Sequence, residues 1–229
     1  MQRKIIFSIG NMYKTYSDIY KKIEMALKLD VDGIELLFPT VSSLMDFKPS
    51  PKLVVGLRKL KFNTIHLPFY KEKVRESLYF FNTPYCMKLL NKGYKVAKQI
   101  NAVNLNLHAN QLKNPKVLEG FKDLNFTFEN VVERFGYKIK DYKRILKANP
   151  HIGMLLDTSH GVRTGQLRWL VWFFKKRIKF IHLSAAKGPR DDHYLLHRFT
   201  YKTKKKLNIV KKLRCPIIIE AGAEEGLTM

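Results

Sequence analysis

Histidine, aspartate and glutamate residues recur at the ends of short apolar segments in this 229-residue chain. Neutral imidazoles combined with carboxylates suit Zn²⁺, Mn²⁺ or Fe²⁺, and the absence of thiolates beside them argues against a purely structural zinc site. These residues therefore predict metal binding. The nine candidate ligands are His66, His108, Glu129, Asp157, His160, His182, Asp191, His193 and Glu220.

Each candidate has a simpler interpretation when it is taken alone. His66 could be a satisfied polar residue at the end of a strand, Asp157 could cap a helix, and Glu129 could be a salt-bridge partner. Taken together, nine such groups on one rim would suffer desolvation and like-charge repulsion unless a cation offset them. The joint pattern therefore favours a metal site.

The spacing of two pairs supports this interpretation. Asp157 and His160 are three residues apart across a strand-to-helix turn, so both can face the same opening. Asp191 and His193 alternate in an extended loop and can point to one side, with Asp192 turned outward. Each pair is thus expected to supply two ligands to one centre.

Eight short apolar segments, separated by amphipathic stretches, must position these residues. Nearly continuous apolar runs are typical of parallel strands buried on both faces, and eight β-then-α units in this length favour a closed (β/α)8 TIM barrel forming a single domain over residues 1–229. The predicted strands are Ile5–Gly10, Gly33–Phe38, Phe62–Pro68, Ala102–His108, Leu124–Asn130, Ile152–Asp157, Ile178–Leu183 and Pro216–Glu220. The predicted helices are Ser17–Leu29, Pro51–Leu60, Pro84–Ile100, Lys138–Ala148 and Gln166–Lys176, with Ser17 as the N-cap of the first.

Two segments depart from a regular barrel. The fourth crossover, around Lys113–Lys122, has room for only a turn or two of helix. Nine residues follow Glu220, so we expect a compact barrel that lacks the eighth outer helix. Either that side of the barrel is open or a partner subunit covers it.

The charge of the chain is unusual. It has 43 Lys and Arg against 19 Asp and Glu, a net charge of +24, and its pI is near 10.0. Such an excess favours a polyanionic partner, most simply nucleic acid, through phosphate contacts and counterion release. The alternative is a lysine-rich proteome whose proteins are basic for other reasons.

Composition also bounds the location of the protein. The chain is 45% hydrophobic and 12% aromatic, which is typical of a globular domain. No apolar run approaches the roughly 18 residues that a membrane span needs, and the apolar stretch after Met1 is too short for a signal peptide. Cys86 and Cys215 show no metal or disulfide spacing. We therefore expect a soluble, cytoplasmic protein with reduced thiols and no membrane partner.

The motifs resemble the xylose-isomerase-like barrel superfamily and, within it, the endonuclease IV (AP endonuclease family 2) branch. The resemblance runs from Asp32-Gly-Ile-Glu-Leu36 to Glu220-Ala-Gly222 and places all nine candidate ligands in the order found in that family. It implies up to three Zn²⁺, with Mn²⁺ or Mg²⁺ as alternatives. It also implies hydrolysis of DNA 5′ to abasic sites in base excision repair, with Glu129 and Glu220 as the catalytic residues that bridge metals and orient the nucleophile.

Two other interpretations remain open. Sugar and sugar-phosphate isomerases and epimerases of the same superfamily share the core that is here Glu129, Asp157, His182 and Glu220, and they use one or two divalent ions. Glu35, in Asp32-Gly-Ile-Glu-Leu36, resembles the second strand of those isomerases. A degenerate barrel that binds nucleic acid or a partner without turnover is the third interpretation.

If duplex DNA with an abasic site is the partner, cations and aromatics in the loops after the strands should contact it. The segment Phe69-Tyr70-Lys71 offers an aromatic beside a lysine, whereas Phe38-Pro-Thr-Val-Ser lacks the Arg- or Gln-rich wedge expected of the family. The predicted DNA contacts are Tyr70, Lys71, Lys113, Arg163, Lys187, Arg190 and Arg198. The clusters Lys202–Lys206 and Lys211–Arg214 are assigned to the outer helix before strand eight, with no catalytic role. A monomer is expected, with dimerisation over the open side as the alternative.

Overall fold

The structure is a computed structural model that describes residues 3–72, 76–121, 123–132, 135–186, 193 and 201–221, apart from the side chains of residues 115, 116, 202 and 203. Among the described residues, no helix is both long and apolar enough to cross a bilayer.

Eight parallel strands close into a barrel in sequence order, with β1 paired to β8. This confirms the predicted (β/α)8 TIM barrel. The strands are β1 (Ile5–Ser8), β2 (Gly33–Leu37), β3 (Thr64–His66), β4 (Asn104–His108), β5 (Asn125–Glu129), β6 (Gly153–Asp157), β7 (Ile178–Leu183) and β8 (Ile217–Ile219). Most are one to four residues shorter than the apolar runs that predict them. A strand ends where its pairing with the neighbouring strands ends, and an apolar run can continue beyond that point.

The outer layer consists of helices of uneven length. They are α1 (Ile19–Ala26), α2 (Val41–Met45), α3 (Pro51–Arg58), α4 (Pro84–Gln99), α5 (Ile139–Ala148), α6 (Thr158–Arg163), α7 (Leu167–Phe174) and α8 (Tyr201–Leu207). The described part of the fourth crossover holds two short 3-10 helices, Ala109–Gln111 and Pro115–Phe121, in agreement with the predicted lack of room for a longer helix. Residues 222–229, on which the prediction of a missing eighth helix depends, lie outside the described residues.

The start of α1 corrects one prediction. Asp18, and not Ser17, is its N-cap, and the Asp18 carboxylate accepts a hydrogen bond from the Tyr20 N–H at 2.8 Å. Both residue types are good N-caps because each offers a side-chain oxygen to the free N–H groups of the first turn. Two adjacent candidates therefore could not be separated by residue type alone.

The interior of the barrel is polar at the carboxyl ends of the strands and apolar before them. Ile6, Leu155, Phe180 and Ile218 form a small buried cluster separate from the main core, which lies between the strands and the helices. Further along the strands, the register pairs His108 with Glu129 and Asp157 with His182. The apolar cluster thus supports a polar layer at the carboxyl ends of the strands, which is where TIM barrels carry their sites.

Candidate metal centre

Eight of the nine predicted ligands come together at the carboxyl ends of the strands. They form three overlapping groups in which one potential ligand atom from each residue lies within 4.8 Å of the others. The groups are His66, His108 and Glu129; Asp157, His160 and His193; and Glu129, Asp157, His182 and Glu220. The ninth predicted ligand, Asp191, lies outside the described residues.

Glu129, at the end of β5, lies at the middle of this arrangement. Its Oε2 is 3.3 Å from His66 Nε2 and 3.2 Å from His182 Nδ1. Its Oε1 is 3.3 Å from His160 Nδ1 and 3.8 Å from His108 Nε2. Both oxygens of one buried carboxylate therefore face imidazoles from four different strands or their loops, so Glu129 can bridge two adjacent groups.

Asp157 has two roles because β6 passes directly into α6. Its Oδ1 caps the helix by accepting a hydrogen bond from the His160 N–H at 2.5 Å. Its Oδ2 is buried and has no hydrogen-bond partner among the described residues. The Asn130 side-chain oxygen accepts a hydrogen bond from the Asp157 N–H at 2.8 Å, which fixes the start of the turn. The local turn thus directs one carboxylate oxygen and one imidazole into the same group.

Backbone carbonyls fix the orientation of three of the histidines. The Nδ1 of His66 lies 2.9 Å from the Leu67 carbonyl oxygen, and the Nδ1 of His160 lies 2.8 Å from that of Asn130. In each ring Nδ1 must carry the proton, which leaves the Nε2 lone pair for another partner. His193, whose backbone adopts a left-handed φ of 56°, places its Nδ1 3.2 Å from the Glu220 carbonyl oxygen.

A buried glutamate on β2 orients the fourth histidine. Glu35 Oε2 lies 3.1 Å from His182 Nε2, and both side chains are fully buried. The opposite ring atom, His182 Nδ1, lies 2.7 Å from Glu220 Oε2. The sequence singles out Glu35 only as an isomerase-like residue. Its contact with His182 could not be inferred because the two residues are 147 positions apart.

Three atoms of the centre lack hydrogen-bond partners among the described residues. They are Asp157 Oδ2, His182 Nδ1 and Glu220 Oε2, all buried; the last two lie 2.7 Å apart as an ion pair without hydrogen-bond geometry. His66 presents a second mismatch, because its Nε2 lone pair faces a carboxylate oxygen of Glu129. Two acceptors repel each other unless a proton or a cation lies between them. Buried polar atoms without partners are costly. The residues therefore fit divalent metal ions, whose identity the nitrogen and oxygen donors do not decide.

The carboxylates set the protonation of two histidines in the metal-free centre. Burial by itself lowers the pKa of His66, but the hydrogen bond and charge of Glu129 outweigh it and raise that pKa. Burial also opposes protonation of His182, yet Glu220 and the other carboxylates around it raise its pKa well above the ordinary value. His108 differs, because burial lowers its pKa to about 3 and keeps it neutral.

The carboxylates themselves divide into two kinds. Burial raises the pKa of Glu220, but the charges of His182 and His193 outweigh it and bring the pKa to about 2. Glu129 is likewise held well below its ordinary pKa, against burial, mainly by His182. Burial dominates at Asp157 and raises its pKa. Positive charge supplied by protons therefore compensates the carboxylates only in part, and a divalent cation would compensate all three.

A cavity of about 650 Å³ opens above the centre. Six of the grouped residues line it, including both Glu129 and Glu220, whereas Asp157 and His182 lie beneath the surface. Of the predicted DNA contacts, Tyr70 and Arg163 line this cavity. Residues that the sequence analysis missed also line it: Ile9, Gly10, Asn11, Tyr13, Lys22, Leu37, Pro39, Phe69, Ser77, Asn110, Gln111, Val131, Val132 and Phe135.

The other predicted DNA contacts are not part of the cavity lining. Lys71 is paired with Glu76 at 2.5 Å, and Lys113 lies over the Tyr79 ring with its Nζ 4.7 Å from the centroid. Both belong to the wider rim. Lys187, Arg190 and Arg198 lie outside the described residues. Lys22 of α1 is the cation that sequence reasoning overlooked, because a lysine in an amphipathic helix gives no signal that it faces the mouth.

Solved structures with this fold include two kinds of enzyme. Endonuclease IV from Thermus thermophilus superposes with a TM-score of 0.64 at 16% identity, covering 98% of this chain and 93% of that one. The 3-keto-D-glucoside 4-epimerase from E. coli gives 0.68 at 10% identity, covering 98% and 94%. D-allulose 3-epimerase from Methylomonas sp. gives 0.66 at 15% identity, covering 98% and 86%.

The comparisons establish the fold. No protein-family model and no curated protein sequence matches this chain. The chain shares the TIM-barrel fold of endonuclease IV and of the sugar epimerases. The similarity to the endonuclease and to the epimerases is equal in extent, so it does not distinguish between these two kinds of enzyme.

Proposed function

We propose that this chain is a metal-dependent phosphodiesterase that resembles endonuclease IV and hydrolyses DNA 5′ to abasic sites in base excision repair. The observation that carries the proposal is the presence of three ligand groups where an epimerase needs only one. The group of Glu129, Asp157, His182 and Glu220 would suffice for proton transfer in a sugar. His66, His108, His160 and His193 are not needed for that reaction, yet they complete two further groups.

Each side chain has a definite task in this proposal. Divalent ions, when bound, supply Lewis-acid polarisation of a phosphodiester and activation of water. Glu129 joins two groups and keeps their imidazoles at fixed distances. Glu220 lines the cavity and is ionised at neutral pH, so its carboxylate can accept a proton from the attacking water. Asp157 and His182 form the buried floor of the site, beneath the cavity.

The surroundings of the centre suit a phosphate ester of an extended polymer. Lys22 and Arg163 place cations on different sides of the cavity, and Tyr13 and Tyr70 place aromatic rings at its edge. Cations that meet phosphates and rings that stack where a base is missing are the two contacts such a substrate offers. The net charge of +24 attracts a polyanion and gives no advantage toward a neutral sugar.

Metal content and incision test this proposal together. The purified protein is analysed for metals by mass spectrometry and assayed on a duplex that carries one abasic analogue. About three zinc ions per chain with incision 5′ to the analogue is the expected result. His108→Ala should reduce both metal content and incision. His151→Ala is the matched control, since His151 is exposed and outside the three groups, and it should leave both unchanged.

A sugar or sugar-phosphate epimerase is the second candidate. Glu35 favours it, because a buried glutamate on β2 beside the four-residue group is the feature by which the sequence resembles that class. This function predicts one or two divalent ions, most simply manganese, no incision, and His108→Ala without effect on turnover of the sugar. One manganese per chain with no incision would therefore overturn the endonuclease proposal.

A further inference from the structure

The outward side of α7 carries an exposed aromatic patch, formed by Trp169, Trp172 and Phe173. These side chains are 48%, 63% and 43% exposed, whereas Leu170 and Phe174 of the same helix are buried in the core. The ring centroids of the patch lie 4.9 to 6.2 Å apart, so the three rings form one continuous surface. None of them lines the cavity above the metal centre. Exposed apolar patches of this kind mark interaction sites.

A lysine contacts the aromatic patch, and the helices α5, α7 and α8 carry further exposed cations. Lys143 Nζ lies 3.7 Å from the centroid of the Phe173 ring. Asp141 is the single carboxylate in the sequences of α5, α7 and α8, and it lies 3.7 Å from Arg144. An anionic occupant is therefore favoured, and a second copy of this chain is disfavoured by like charge. The exposed cations of these helices are Lys140, Lys143, Arg144, Lys147, Arg168, Lys204, Lys205 and Lys206.

A recess of about 620 Å³ adjoins the patch. Its apolar lining includes Leu167 and Ile209, and its cations are Arg168, Lys205 and Lys206. Arg168 is one helical turn before Trp172 on α7, so the recess and the patch share one face of that helix. Arg168 thus lies next to the aromatic patch, and Lys205 and Lys206 of α8 line the same recess as Arg168.

We propose that this surface binds single-stranded nucleic acid, with phosphates along the cations of the recess and bases stacked on the aromatic patch. A flat lipid surface would use the rings and the cations but would leave the 620 Å³ recess unfilled. A duplex would use the cations but cannot present its paired bases to the rings. A single strand engages both, in the combination of basic groove and stacking rings by which proteins hold such strands.

This inference rests on nucleic acid as the partner, as in the proposed function, but it does not depend on the metal centre. The two can therefore fail separately. Strand binding is measured with EDTA present, and incision of the abasic duplex is measured with metal present. Strand binding without incision would support this surface and contradict the endonuclease activity. Incision without strand binding would support the endonuclease activity and contradict this surface.

Intrinsic fluorescence tests the surface directly, because Trp169 and Trp172 are the only two tryptophans of the chain. Titration with a single-stranded oligothymidylate should quench their emission to saturation, since stacked bases quench indole. Oligothymidylate that binds, as judged by anisotropy of a label on the oligonucleotide, without changing the emission would overturn the proposal. So would a blue shift produced by phosphatidylserine vesicles in the absence of any response to the oligonucleotide.

Substitutions separate the rings from the cations. Trp172→Ala should weaken binding of the labelled oligothymidylate about tenfold, the effect expected for one stacking interaction. Arg168→Glu should weaken binding and lower the salt slope by about 0.7 for each phosphate that the variant no longer neutralises. Lys52→Glu, an exposed lysine on α3, changes the net charge equally and should have little effect. Equal weakening in Arg168→Glu and Lys52→Glu would show that charge alone binds the strand and would overturn the assignment. All three side chains are exposed, so folding should be preserved and circular dichroism can verify it.

Discussion

Each carboxylate of the centre has its own surroundings, and these assign each a different role. Asp157 lies beneath the cavity and the Glu129 side chain is only 1% exposed, whereas the Glu220 side chain lines the cavity and is 13% exposed. A carboxylate that faces the cavity and is ionised at neutral pH is placed to accept a proton from water there. The proposed hydrolysis therefore depends most on Glu220.

Replacing Glu220 by glutamine keeps its shape and removes its basicity. We expect incision of abasic DNA to fall about 10² to 10⁴-fold, the range typical of a lost general base. Affinity for the duplex should change little, because the cations of the rim remain. Single-turnover kinetics and DNA anisotropy measure the two effects separately, and unchanged incision would remove Glu220 from the mechanism.

Glu35 is expected to act through His182 as a positioning residue. Its carboxylate accepts the Nε2–H of the ring and so leaves the Nδ1 lone pair facing the ligand group. Glu35→Ala should weaken metal affinity about 10 to 100-fold in a chelator competition, the usual effect of removing such a partner. Glu35→Gln retains an acceptor and should restore part of the affinity. ¹⁵N NMR should show a changed Nε2 shift of the His182 ring in Glu35→Ala, where the Nε2–H loses its acceptor, and a shift close to that of the unchanged protein in Glu35→Gln.

Ser8→Ala is the matched control for Glu35. Ser8 is fully buried, pairs in register with Glu35 on the neighbouring strand, and is not a member of any ligand group. Ser8→Ala should leave metal affinity unchanged. Equal weakening in Ser8→Ala and Glu35→Ala would show that the effect comes from the barrel wall and not from the contact with His182.

At the scale of elements, the packing of β2 depends on a glycine. A Cβ at Gly33 would lie 2.3 Å from the Phe62 carbonyl oxygen, a backbone atom that cannot move aside as a side chain can. Gly33→Ala should therefore lower the free energy of unfolding by more than about 3 kcal/mol, the upper range for overpacking. Gly120→Ala is the control, because a Cβ there meets nothing within 4 Å. Denaturant unfolding followed by circular dichroism measures both variants.

The elements were predictable to different degrees. Long apolar or amphipathic segments such as β7 and α4 carry their own signal, and their predicted bounds agree with the structure to within one residue. Helix α2 was missed because five residues, capped reciprocally by Thr40 and Ser43, are too short for a periodic pattern. Most of the candidate ligands were predictable because they end apolar runs, whereas His160 and His193 were predictable from their spacing to Asp157 and Asp191. Contacts between strands, such as that of Glu35 with His182, could not be predicted from the sequence, because closure of the barrel creates them.

The whole molecule combines a weakly charged interior with a strongly basic exterior. A net charge of +24 over 229 residues should make DNA binding steeply dependent on salt. The logarithm of the affinity for duplex DNA should fall linearly with the logarithm of salt concentration, with a slope of about −0.9 for each phosphate contacted. Anisotropy across a salt series measures the slope, and a salt-independent affinity would contradict a phosphate-based interaction.

The sharing of carboxylates among the three ligand groups has a consequence for how the centre fills. Glu129 belongs to two groups and Asp157 to two, so no group is separate from its neighbour. Glu129 and Asp157 would each be held in place by an ion in one group and would then already be positioned for an ion in the next. Occupancy should therefore be cooperative, with partly filled forms scarce at intermediate metal concentrations. Removal of either shared carboxylate would then empty the centre in one step, instead of releasing a single ion.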